Sequence, residues 1–156
     1  KHIEYSWHHS LVGKPATFWT LAQRSLDYAI GSIGGGVAPD LRAKLLASFR
    51  AMQAYPEVLE VLSALKARGD KLAILSNGDP DMLEDAIGAA RLGPVFDAVL
   101  SVASAGTFKP SMKVYQLVLD RFGGTPADVS FQSSNRWDIA AAKAFGFRCV
   151  WINRTG

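Results

Sequence analysis

Four short apolar runs alternate with helix-like stretches downstream of Tyr55, and this alternation constrains the fold more than any other feature of the chain. The runs cover residues 71–76, 96–102, 129–131 and 148–152. Val58, Leu59, Leu62 and Leu65 recur at helical spacing before the first run. Helices are also expected over 81–90, from about Met112 to Phe122, and over 139–147. Strands alternating with helices argue for a parallel α/β sheet and against an all-helical or all-β domain. Right-handed crossovers place the carboxyl ends of the strands on one edge. Open α/β sheets carry their chemistry on that edge.

Upstream of Tyr55-Pro56 the pattern is helical throughout. Ile3, Tyr5, Trp7 and Leu11 outline a first apolar face, broken by Gly13-Lys-Pro15. Phe18, Leu21, Ala22, Leu26 and Ala29 recur at three and four residues, which predicts a second helix. The glycine-rich stretch 30–39 follows no strand and lacks the GxxxxGK[ST] order, so it is not read as a phosphate cradle. Asp40 is expected to cap a third helix running through Met52, with Leu41, Leu45, Leu46 and Phe49 on one face. The expected division is a helical subdomain over 1–54 and an α/β core over 55–156. His2, His8 and His9 cluster upstream, but no cysteine or carboxylate stands at ligand spacing. They read as surface or interfacial residues, and no metal is expected.

Composition narrows the function classes. The chain has 156 residues and a net charge of +3, from 17 basic and 14 acidic side chains. That excess forms no basic run, so nucleic acid is not an expected partner. No stretch approaches the roughly 20 apolar residues of a membrane span. Cys149 is the sole cysteine and lies in an apolar run, so a buried structural thiol is expected. A chain with no internal disulfide fits a reducing, cytoplasmic compartment. The sequence opens on Lys1-His-Ile-Glu without methionine, which suggests a processed or incomplete product.

The unusual polar residues sit where the strands end. Ser76 and Asn77 follow the first strand, Lys109 comes after the second, and Ser133, Ser134, Asn135 and Asp138 follow the third. Each has an ordinary reading. Ser76 and Asn77 can satisfy turn amides, Lys109 can be a solvated loop residue, and Asn135 or Ser134 can cap the helix. Asp138 can be a first-turn carboxylate. Their convergence on one edge favours a site. Serine and backbone donors there can grip a carboxylate or phosphate, the lysine can steady a carboxylate, and Trp137 can supply an apolar wall. Asp138 is a candidate general base. No GxSxG elbow is present, so no strong nucleophile is evident.

These residues identify a resemblance. Leu75-Ser-Asn-Gly78, Phe108-Lys-Pro110 with Tyr115, Ser133-Ser-Asn-Arg-Trp-Asp138, Glu4-Tyr-Ser-Trp7 and Val150-Trp-Ile-Asn-Arg154 together resemble the L-2-haloacid dehalogenases of the haloacid-dehalogenase superfamily. The resemblance implies a Rossmann-like parallel sheet with an inserted helical cap, no cofactor and no metal. It also implies a homodimer acting on small 2-haloalkanoic acids and water, away from membranes. Lys109 would steady a nucleophilic aspartate, and Ser76, with Asn77 beside it, would hold the substrate carboxylate. Ser133, Asn135 and Asp138 would organise nucleophile and water, supported by Tyr115 and Ser134. Phe18, Trp137 and Ile3 would line the substrate and halide region.

One part of the family pattern has no counterpart in residues 1–156. The first strand with its DxYGT-type nucleophile is missing, as is the arginine that would stand just before Lys1. In the family that strand is central, between those ending at Ser76 and Phe131. The expectation is therefore a core lacking its first strand, with unpaired backbone in the middle. That strand would be outside the stretch in hand, supplied by a separate N-terminal peptide after cleavage, or absent from the gene. Two alternatives stand beside the dehalogenase. One is a magnesium-dependent phosphatase of the same superfamily, which usually places an acid where Ser134 stands; hard cations prefer anionic oxygen ligands. The other is an inactive fragment or binding domain.

Overall fold

The structure is a computed structural model that describes residues 1–14, 16–34 and 36–154. It opens with three helices, α1 (His2–Leu11), α2 (Phe18–Ser32) and α3 (Pro39–Ala47). α2 starts where the Thr17 hydroxyl accepts the Thr20 amide at 3.1 Å, which satisfies one of the free donors of the first turn. α3 departs from expectation at both ends. Ala38 is its N-cap, with Pro39 in the first turn, so Asp40 sits inside the helix rather than capping it. It stops at Ala47 instead of continuing to Met52. The amides of Phe49 and Arg50 reach back only three residues, to Leu46 and Ala47, and Arg50 turns away to pair with Asp81 and Asp85.

Helices and strands then alternate. The order is α4 (Val58–Ala67), β1 (Ala73–Ser76), α5 (Pro80–Ala89), β2 (Ala98–Ser101), α6 (Met112–Phe122), β3 (Ser130–Ser133), α7 (Arg136–Phe145) and β4 (Arg148–Trp151). All four expected strands are present, and all pairing is parallel. β1 pairs with β2 from Ala73–Ala98 to Ser76–Ser101. β3 pairs with β4 from Ser130–Arg148 to Ser133–Trp151. The strands form two pairs, and among the described residues no strand lies between β1 and β3. The fold is α/β, with parallel strands and a helical cap.

Two apolar clusters hold these parts together. One packs Tyr115 and Val118 of α6 against Phe131, Ala141, Ala142 and Phe147. The other joins Leu21 of α2 to Val102, Phe108 and Val114, with Tyr5, Phe18 and Leu75 packed around it. Leu21 is fully buried, and removing such a side chain from water stabilises by about 1.5–3 kcal/mol. This second cluster seats the cap helices against the ends of β1 and β2. Cys149 is half-buried instead of enclosed, with its Sγ 3.6 Å from the Phe147 carbonyl. Burial still pushes its thiol pKa up.

α7 begins at Arg136, earlier than its apolar residues indicate. Asn135 is at the N-cap but makes no side-chain capping bond. Its own amide donates to Ser133 Oγ at 3.2 Å, so the serine orders the turn in place of the expected cap. Its carbonyl accepts the Asp138 and Ile139 amides. The helix stops at Gly146, which has φ +111, a conformation favoured by glycine.

Candidate active site

The centre of the site is a buried ion pair between the loop that precedes α6 and the first turn of α7. Lys109 Nζ donates to Asp138 Oδ2 at 2.9 Å and to the Leu75 carbonyl at 2.8 Å. It also lies 5.0 Å from the centroid of the Phe131 ring. The ammonium therefore connects the two strand pairs, touching the backbone of β1 and a side chain of β3. Lys109 and Asp138 are 5% and 4% exposed. At that depth an unpaired charge is costly, and each depends on the other. Burial pushes the Lys109 pKa down, and the Asp138 charge pulls it partly back.

Asp138 is fully engaged. Tyr115 donates to Oδ1 at 2.8 Å, and Ser133 Oγ donates to Oδ2 at 3.2 Å beside Lys109. Burial and the bond to Asp138 hold the Tyr115 hydroxyl well above its usual pKa, so it remains a donor. Asp138 thereby holds Lys109, Tyr115 and Ser133 together in one network.

The Ser76-Asn77 turn supports the lysine from the other side. Asn77 Oδ1 accepts the Lys109 amide at 3.0 Å. Ser76 Oγ accepts the Gly78 amide at 3.1 Å. A Cβ on Gly78 would come within 2.9 Å of Leu83 Cδ2 and 3.4 Å of Ser76 Oγ, so the turn is packed tightly there. Ser101, opposite Ser76 in the β1–β2 register, donates to the Gly78 carbonyl at 2.7 Å. Sequence reasoning did not single out Ser101, and its register opposite Ser76 is the signal that could have found it.

The structure brings together Ser76, Asn77, Lys109, Tyr115, Ser133 and Asp138. The other expected residues lie around this centre. Ser134 and Asn135 are exposed, and the Ser134 carbonyl accepts the Trp151 indole at 3.1 Å. Trp137 stands edge-on to Trp7 at 5.9 Å, and its buried Nε1 has no partner among the described groups. Phe18 packs on His2 at 4.1 Å, and Ile3 is 41% exposed. A cleft of about 550 Å³ borders Ser133 and Ser134 and is walled by Tyr55, Trp151, Arg136 and Arg154. Among the described residues no group of three or more His, Cys, Asp or Glu side chains is arranged to hold a metal ion. Among the described residues no helix is long and apolar enough to cross a membrane.

A parallel α/β fold with a helical cap and a buried lysine–carboxylate pair at the strand ends defines a hydrolase class. The family described as haloacid dehalogenase-like hydrolase matches residues 2–146, and the chain belongs to it. The (S)-2-haloacid dehalogenase 1 of Pseudomonas sp. (strain CBS-3) is 44% identical over 154 residues, covering 99% of this chain and 68% of that protein. The (S)-2-haloacid dehalogenase of Xanthobacter autotrophicus is 39% identical, over 99% of this chain and 60% of its own length. A structure of the L-2-haloacid dehalogenase from Xanthobacter autotrophicus, with chloropropionic acid covalently bound, superposes with a TM-score of 0.91 at 38% identity. That superposition covers 100% of this chain and 63% of the other. The chain thus spans about two thirds of the length of these relatives.

Proposed function

We propose that the intact protein is an (S)-2-haloacid dehalogenase, hydrolysing L-2-haloalkanoic acids to D-2-hydroxy acids and halide. The observation that carries this reading is the buried Lys109 ammonium, held between the Leu75 carbonyl and Asp138 at the end of β1. A nucleophilic aspartate enters on a strand between β1 and β3, contributed from outside residues 1–156. Its carboxylate attacks C2 of the substrate, forming a C–O bond as the carbon–halogen bond breaks with inversion. Water then adds to the ester carbonyl, and the aspartyl C–O(alkyl) oxygen stays with the product. The aspartate is restored, and one proton and one halide are released per turnover. Lys109 steadies the attacking carboxylate, and Ser76 with nearby amides receives the substrate carboxylate. Ser133, Asn135 and Asp138 organise nucleophile and water, with Tyr115 and Ser134 in support. Phe18, Trp137 and Ile3 shape the apolar side.

The donor set argues against the phosphatase alternative. Asp138 is the only carboxylate of its loop, and it already accepts an ammonium and two hydroxyls. A hard cation there would compete with a lysine for the same oxygen. Chloride release from L-2-chloropropionate in EDTA, with D-lactate as product, is the expected result. Magnesium-dependent phosphate release without halide release would replace this reading with the phosphatase. No turnover of either kind would leave a binding domain or inactive fragment.

A further inference from the structure

Asp79 follows the Ser76-Asn77-Gly78 turn directly, and it reaches away from its own helix. It is the N-cap residue of α5 but makes no side-chain capping bond there. Its two oxygens instead accept the Phe18 amide at 3.0 Å and the Trp19 amide at 2.8 Å. These amides open α2, where a helix has no internal acceptor for them and where negative charge meets the positive end of the helix. Two further carboxylates of α5 extend the connection. Arg50 donates to Asp81 at 2.6 Å and to Asp85 at 2.5 Å, and its guanidinium lies 4.9 Å from the Trp19 ring centroid. The Phe18 ring is packed between His2, at 4.1 Å, and Phe49, at 6.1 Å. The start of α5 therefore holds the start of α2 through backbone and side chain together.

We propose that Asp79 is a positioning residue, which fixes Phe18 of the cap relative to the Ser76-Asn77 turn and thereby sets the alkyl-chain length the substrate can carry. The substrate part rests on the dehalogenase reading above. Asp79 makes no hydrogen bond to Lys109, Asp138, Tyr115 or Ser133, so it acts on the fit of the substrate and not on bond breaking. Phe18 is apolar, so moving it changes contact with the alkyl part of a 2-haloacid and leaves the grip on its carboxylate intact. One methylene in an apolar pocket is worth roughly tenfold or more in selectivity, which makes the effect measurable.

The test compares wild type, Asp79→Asn and Asp79→Ala in the full-length protein. Chloride release is measured from 2-chloropropionate, 2-chlorobutyrate and 2-chlorohexanoate. In Asp79→Ala, kcat for 2-chloropropionate is expected to stay within about twofold while KM rises. The kcat/KM ratio between the short and long acids is expected to shift by roughly tenfold. Asp79→Asn keeps one acceptor oxygen, is the safer variant for folding, and should fall between. Adding Asp79→Asn to Phe18→Leu should shift the ratio no further, because both changes act through one ring. An unchanged ratio in folded Asp79→Asn, or full additivity with Phe18→Leu, would overturn the proposal. Hydrogen exchange at the Phe18 and Trp19 amides decides the latch independently of turnover. Faster exchange in the variants supports it, and unchanged exchange overturns it. If wild type releases no halide, the dehalogenase reading fails, and the exchange result still stands for or against the latch.

Discussion

Lys109 carries a charge where charge is costly, and one carboxylate, one carbonyl and one aromatic ring make that tolerable. Lys109→Met removes the ammonium but leaves Asp138 buried with only its two hydroxyl donors. Losing one partner of a buried pair costs about 3–5 kcal/mol, so urea unfolding should show a loss of that size together with loss of halide release. The depressed lysine pKa also fixes a sign. Its value lies below the ordinary 10.5, so between the two values the unfolded chain holds more protons than the folded one. Stability therefore rises with pH across that window. Urea unfolding of residues 1–156 followed below pH 10.5 should show that rise, and a stability that falls with pH there would contradict it. Ser76, Asn77, Lys109, Ser133 and Asp138 were legible in the sequence because each stands at or soon after a strand end, in a place where a plain loop needs nothing special. The contacts between them were less legible. Tyr115 sits mid-helix among apolar residues, so the family resemblance marked it as support, and no local pattern reveals that its hydroxyl meets Asp138. The partner of Asp79 lies some sixty positions away in the chain, beyond the reach of any local pattern.

At the scale of elements, α7 does most to place the site, because it carries Trp137 and Asp138 in its first turn. Its far end is fixed by Gly146, at φ +111, where an added Cβ would meet Pro126 Cβ at 3.0 Å. Gly146→Ala should cost about 1–3 kcal/mol, seen as a lower denaturant midpoint, and it should weaken the site only through the tilt of the helix. A stability unchanged from wild type would mean that the turn relaxes freely. Strand positions were read well because short apolar runs between polar turns have few other uses in an alternating chain. Helix ends were read less well. The apolar periodicity of α7 begins at Ile139, yet the helix starts at Arg136, since its first turn is held by Ser133 Oγ and the Asn135 carbonyl instead of by packing. α3 ends early for the opposite reason, as Arg50 is drawn toward α5 by two aspartates that sequence periodicity cannot register.

At the scale of the molecule, two strand pairs and a set of cap helices are joined by few shared groups. Lys109 connects β1 to β3, and Leu21 seats α2 among Val102, Phe108 and Val114. Leu21→Ala leaves a cavity at that junction and should destabilise by about 2–5 kcal/mol. Hydrogen exchange should quicken in the cap helices and at the end of β2 together. Faster exchange confined to α2 would contradict a shared cluster. The edges of β1 and β3 that do not pair with each other are the natural seat for the strand proposed to carry the nucleophile. The most direct test is a single-turnover reaction of the full-length protein with L-2-chloropropionate in EDTA, quenched and analysed by peptide mass spectrometry. The expected result is one aspartyl ester of the propionyl group per protein, accompanied by chloride and resolving to D-lactate. Chloride release without an ester intermediate, or no chloride release at all, would contradict it.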